Sequence, residues 1–234
     1  MRRRSVLTGI AAASAIGLAG CAGVPTDGTG ESDAPSVAEG FAGDATGDAD
    51  GDDTEGTPEP DRPGCEVESA VIDVDVGGET REFETAATVP YPASPAAVGE
   101  ASSAEETVSV EEAAIADYVP AFEEAYLTHE ILCDRTGSGH VLSVDYRTDR
   151  IEGFDRDGGG RLVYLRYAGG ATAGVDGDGG MWQADIGFSA VLYAVDATGA
   201  ARVELDDPRD RSRSEIRSEL PNPVEAGDLV AVFE

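Results

Sequence analysis

No lysine occurs anywhere in the 234-residue chain; all 16 basic residues are arginine. A phosphate-cradling GxxxxGK loop is therefore excluded, since its lysine is what reaches the phosphates. No GxSxG is present, and no GxGxxG follows a strand pattern, so the common nucleophile-elbow and dinucleotide-binding signatures are missing as well. Long apolar runs are also lacking. The most apolar stretch, Val6 to Ala19, falls short of the roughly 20 residues a membrane-spanning helix needs. No repeat of fixed period is visible. Only two histidines and three cysteines are present. A site built on those residue types must draw on His129, His140, Cys21, Cys65 and Cys133.

Acid is what the chain has in excess. Asp and Glu number 47, and the formal charge is −31. A charge that large makes a compact state repel itself in dilute buffer. Concentrated salt shortens the Debye length to about 3 Å at 1 M and relieves the repulsion. The acids run through the likely strands as well as the polar tracts, which points to a salt-adapted protein and away from one with a confined acidic tail. Nucleic acid and anionic surfaces are poor partners for such a chain.

The first residues read as a targeting segment. Arg2, Arg3 and Arg4 form a positive start, the short apolar run follows, and Leu18-Ala19-Gly20-Cys21 comes next. The last four resemble a lipobox, whose cysteine takes a lipid. Arg3-Arg4-Ser5-Val6-Leu7 resembles a twin-arginine export signal. Residues 1–20 are thus expected to be a signal peptide and Cys21 the lipid attachment point, leaving 13 Arg against the 47 acids. The expected location is the outer face of the cell membrane.

Residues 21–63 are expected to be the lipidated N-terminus and a disordered acidic linker. Thr26 to Asp61 carries twelve acids and no base, with little apolar surface to bury. As a flexible coil this linker would span about 35 Å root-mean-square.

Residues 64–234 have the length of one domain. Glu66 to Val76 and Glu79 to Val89 flank Gly77-Gly78 as a hairpin. Ser109-Val110-Glu111-Glu112 is a capping box. Ala114, Tyr118, Phe122, Tyr126 and His129 then continue an apolar stripe about four residues apart, a helix of about twenty-four residues that Pro120 should kink or shorten. Alternation over His140–Arg147, Arg161–Ala168, Met181–Val195, Ala201–Leu205 and Leu229–Phe233 predicts strands. The class expected is α+β: one amphipathic helix on a mainly antiparallel, curved sheet.

Cys65 and Cys133 are the pair left in an exported domain, which points to one disulfide, worth about 4 kcal/mol in the chain-entropy model. The alternative is a metal. His129-Glu130-Ile131-Leu132-Cys133 has the shape of the zincin HExxH motif with Cys in the last place. His129 and Cys133 share a helix face, Glu130 would activate water, and His140 would be the third ligand. Asp176-Gly177-Asp178-Gly179 with Asp185 faintly resembles a calcium loop, but a hairpin turn explains it. Arg209, Arg211, Arg213 and Arg217 are candidates for anion binding. Interleaved Asp207, Asp210, Glu215 and Glu219 favour a salt-bridged loop or helix instead.

The order of signal, lipobox and acidic tract resembles exported lipoproteins of halophilic archaea. The Tyr118, Phe122, Tyr126 helix followed by strands is similar in outline to cystatin and NTF2-like domains, folds that host binders and enzymes alike. The expectation is a membrane-anchored lipoprotein with a non-catalytic binding or envelope-scaffold domain. It carries no cofactor, meets the membrane through Cys21, and binds a protein or small molecule. The alternative is a zinc-dependent hydrolase.

Overall fold

The computed structural model describes residues 35–42, 58–96, 110–134 and 139–233. Arg3, Arg4 and Cys21, and Ser109 of the expected capping box, lie outside the described residues.

A short helix α1 (Val37–Ala42) precedes a two-stranded hairpin, β1 (Val71–Val76) and β2 (Glu79–Glu84). The hairpin turns at Gly77 and Gly78, both with positive φ, a conformation that glycine adopts without steric cost. The long helix α2 (Val110–Asp134) follows. A six-stranded antiparallel sheet completes the chain: β3 (Gly139–Asp155), β4 (Arg161–Asp176), β5 (Met181–Gln183), β6 (Phe188–Val195), β7 (Gly199–Glu204) and β8 (Asp228–Val232). Two further helices, α3 (Arg213–Glu219) and α4 (Pro223–Ala226), lie between β7 and β8. The sheet runs β3-β4-β6-β7-β8, with β5 also on β4, and curls into a half-barrel around α2. Register shifts in the β3–β4 pair, at Val141 to Val144 and Thr148 to Arg150, supply bulges that bend a sheet this long. The expected α+β class, a helix on a curved antiparallel sheet, is what the molecule shows.

The centre of the sheet explains the packing. From Ala190 to Val195 every residue of β6 is buried. Period-two alternation sends Val191, Tyr193 and Val195 to the concave face, where they pack with Ile115, Tyr118, Val119 and Phe122 of α2. Ala190 and Leu192 go to the opposite face, beside Tyr164, Leu205 and Ile216 of α3. Ala194 meets Val37 of α1 there, with Val224 of α4 alongside. The sheet is thus covered on both sides, where a single helix on one side was expected. Gly169 of β4 lets α2 come close: a Cβ there would stand 2.5 Å from Leu127 Cδ2.

Several expectations change in detail. Helix α2 neither starts late nor stops at Pro120. The ring removes one hydrogen bond, to the Ala116 carbonyl, and Ala116 is exposed so that water can replace it. The Met181–Val195 run is two strands, β5 and β6, separated by 184–187. The acidic linker is not uniformly a solvated coil. In residues 35–42 and 58–63 it packs on the domain. Val37 is fully buried, its N–H donates to Asp196 Oδ2 at 2.6 Å, and Ala38 N–H donates to Thr198 Oγ1 at 3.1 Å. Asp61 N–H donates to the Leu229 carbonyl, and the Arg62 guanidinium lies 4.4 Å from the Tyr91 ring centroid.

Candidate functional site

Two polar clusters interrupt the apolar contact between α2 and the chain around it. The deeper one joins Glu123 of α2 to Arg202 of β7. Glu123 is completely buried and Arg202 nearly so. Arg202 Nε donates to Glu123 Oε2 at 2.9 Å, and a terminal nitrogen donates to Oε1 at 2.8 Å, a two-pronged pair. Tyr193 O–H donates to Oε2 at 2.5 Å, and the Tyr126 ring lies 4.2 Å from the guanidinium carbon. Burial opposes the charge on Arg202. The Glu123 carboxylate outweighs it and holds the guanidinium above even its ordinary range. Burial pushes the Tyr193 and Tyr167 hydroxyls well up, and the Glu123 charge adds to this. Each group thus has its partner inside the fold.

Neither Glu123 nor Arg202 was singled out from the sequence. The signal was a charge on each inward stripe: Glu123 stands between Val119 and Tyr126 on α2, and Arg202 lies two residues beyond Ala200 on β7.

The second cluster lies at the C-terminal end of α2. The spacing of His129 and Cys133 puts them on one helix face. The chain before β1 brings Cys65 to them, fixed by Val67 N–H to Thr88 Oγ1 at 3.1 Å and by Tyr91 O–H to the Pro63 carbonyl at 3.0 Å. The Cys65 and Cys133 sulfurs stand at disulfide distance, with Cα atoms 5.8 Å apart. Cys65, His129 and Cys133 each offer a ligand atom, and all three atoms lie within 4.8 Å of one another. No other such gathering of three occurs among the described residues. The His129 ring stacks on Tyr91 at 4.6 Å between centroids, and Nε2 lies 3.0 Å from the Val89 carbonyl. Val89 O can only accept, so Nε2 carries the proton there. Nδ1 is then a buried lone pair without a partner.

The remaining candidates are placed elsewhere. His140 sits exposed at the start of β3, outside this cluster. Glu130 lines an open groove with Leu127, Ile131, Asp134, Gly170 and Ala171. Its carboxyl is raised, first by desolvation, then by Glu204, Glu123 and Asp134, against the opposing pull of Arg202. Asp176 Oδ1 accepts from Asp178 N–H at 3.1 Å and Gly180 N–H at 2.6 Å, closing the hairpin turn. Asp185 lies instead in a hollow of about 690 Å³ with Ser143, Asp145, Thr172 and Gln183.

Arg209 pairs with Asp207 at 3.1 Å, and Arg213 pairs with Glu152 and donates to the Gly153 carbonyl. Arg150 reaches Asp210 and the Arg211 carbonyl. Arg217 lines a second hollow, near Phe154, Leu220 and Val224. This basic stretch is thus largely a salt-bridged loop and helix, with Ser212 and Glu215 forming a capping box.

Compared with known protein families, curated proteins and solved structures, the chain matches none of them.

Proposed function

We propose that this chain is an exported lipoprotein of a salt-adapted organism, held at the outer membrane face by a lipid on Cys21. Its folded domain binds a partner or scaffolds the envelope without catalysing a reaction. The export half of this reading rests on the order of Arg3-Arg4, a short apolar run and Leu18 to Cys21. The non-catalytic half rests on one observation: in the one buried pair of opposite charges among the described residues, Glu123 and Arg202 face each other and not a hollow open to solvent. A catalytic acid or base must reach a substrate proton.

The direct test is fractionation of cells that express the full chain. The native protein should sediment with membranes and be clipped by protease added outside intact cells. Cys21→Ser should appear in the medium, and replacing Arg3 and Arg4 together should hold the chain inside. A native protein found soluble in the cytoplasm would overturn the reading.

A second reading, a zinc-dependent hydrolase using His129, Glu130, Cys133 and His140, draws on the convergence of His129 with Cys133. Glu130 in the groove beside Gly170 and His140 at the exposed start of β3 weigh against it. Zinc-dependent hydrolysis that Glu130→Gln abolishes would restore it.

A further inference from the structure

We propose that Cys65, His129 and Cys133 form a redox-gated site for one thiophilic metal ion of the zinc class, which the disulfide closes and reduction opens. The ligand set differs from the HExxC reading: Cys65 replaces His140, and Glu130 has no part. It also stands independently of the anchoring proposed above.

Three observations carry it. The first is spacing. Zinc sits about 2.3 Å from a thiolate sulfur and about 2.0 Å from an imidazole nitrogen. Two ligands of one ion therefore stand at most about 4.6 Å apart; these three atoms lie within 4.8 Å of one another, so small side-chain shifts, chiefly parting the two sulfurs once reduced, bring them onto one ion. The second is the histidine. His129 is only 5 % exposed, and its Nδ1 is a buried acceptor with no partner. Such an orphan is costly to bury and requires an explanation. The third is the opposite edge of the ring. Metal-bound imidazoles characteristically donate their other N–H to a carbonyl, which fixes the tautomer. Nε2 does this to Val89 O, and Tyr91 holds the ring plane. With Nε2 engaged by Val89 and the ring plane held by Tyr91, Nδ1 is the nitrogen left to bind a metal.

Gating follows from the chemistry of sulfur. In the disulfide neither sulfur is a thiolate, and the thiolate is what binds metal. A dithiol reductant gives two electrons and two protons to the Cys65–Cys133 bond and itself becomes a disulfide. Two thiols result. The metal then displaces both thiol protons to solvent, and His129 adds a neutral lone pair. Cys65 is partly exposed, which admits both the reductant and the ion. A fourth coordination position is left for water.

Cobalt(II) serves as the visible probe, added in concentrated salt to the full chain before and after phosphine reduction. The oxidised protein should bind none. The reduced protein should take up one equivalent, with sulfur-to-cobalt charge-transfer absorption and the strong visible bands of a tetrahedral site. Cys65→Ser should lose the charge-transfer intensity of one sulfur. His129→Gln keeps an N–H for Val89 but has no basic nitrogen, and should weaken cobalt binding about tenfold or more. Circular dichroism of the oxidised variant confirms its fold. If reduction alone unfolds the domain, one equivalent of metal should refold it. Failure of the reduced native chain to bind or refold with cobalt, or unchanged binding by His129→Gln, would overturn the proposal.

Discussion

The two faces of β6 are built from alternate residues of one strand, yet they hold together differently. On the concave face Tyr193 meets a long helix and a buried Glu123–Arg202 pair. On the convex face Ala190, Leu192 and Ala194 meet three short helices, of which α1 comes from a tract otherwise rich in acid. Large aromatic rings bring polar tips, and those tips require partners inside. Small aliphatic residues bring none, so their cover can be assembled from short capped pieces. The concave face therefore depends on a few indispensable contacts, and the convex face on many minor ones.

The largest effect should come from the concave face. Glu123→Ala leaves Arg202 buried without its carboxylate, and the loss should be about 3–5 kcal/mol by urea unfolding at constant high salt. A loss under about 1 kcal/mol would show that the guanidinium finds other solvation. Alkaline pH should strike the same face. Six of the seven tyrosines belong to or pack against its cluster, and these six, like Tyr164 on the convex face, have hydroxyls raised above 10, burial being the first cause in each. The folded state holds these protons more tightly than the unfolded chain. Their contribution to stability is therefore complete below pH 10 and falls as pH rises beyond it. Tyrosinate absorption should rise together with the loss of circular dichroism above about pH 10. Gradual ionisation of a folded protein would mean that the rings are wet.

The convex face should respond less. Val37→Asp should release residues 35–42 and cost about 1–2 kcal/mol, since that segment can detach while the rest stays folded. Hydrogen exchange at the Val37 and Ala38 amides reports the detachment directly, because Asp196 and Thr198 accept from them. Smallest is the cap of α3. The Ser212 side chain and backbone hold the Glu215 carboxyl below its ordinary range. Ser212→Ala should return that carboxyl toward its ordinary value in an NMR titration and cost about 1 kcal/mol.

The same contrast explains what could be read from the sequence. Helix α2 was legible because Tyr118, Phe122 and Tyr126 repeat at helical spacing, and the hairpins because Gly77-Gly78 and the Asp176 to Gly180 turn punctuate alternating runs. Helix α1 was not legible. Val37 and Phe41 are its only large apolar residues, and their cover, Ala194, Ala201 and Leu229, lies far along the chain, as do Asp196 and Thr198, which hold the helix start. The Cys65, His129 and Cys133 convergence was half legible. Helix spacing joined His129 to Cys133, but the docking of residues 63–67 against 88–91 is a tertiary fact that no local pattern records. Glu123 and Arg202 showed only as single charges on apolar stripes, and their pairing required the curl of the sheet.

The central claim is that Glu123 and Arg202 under α2 satisfy each other and close the interior there. Urea unfolding of Glu123→Leu, Arg202→Met and the double variant tests it most directly. The account predicts that each single change costs about 3–5 kcal/mol and that the double variant recovers most of that loss, giving a coupling of several kcal/mol. Single costs that are small and simply add would contradict it, since two groups that do not depend on each other are not what closes this core.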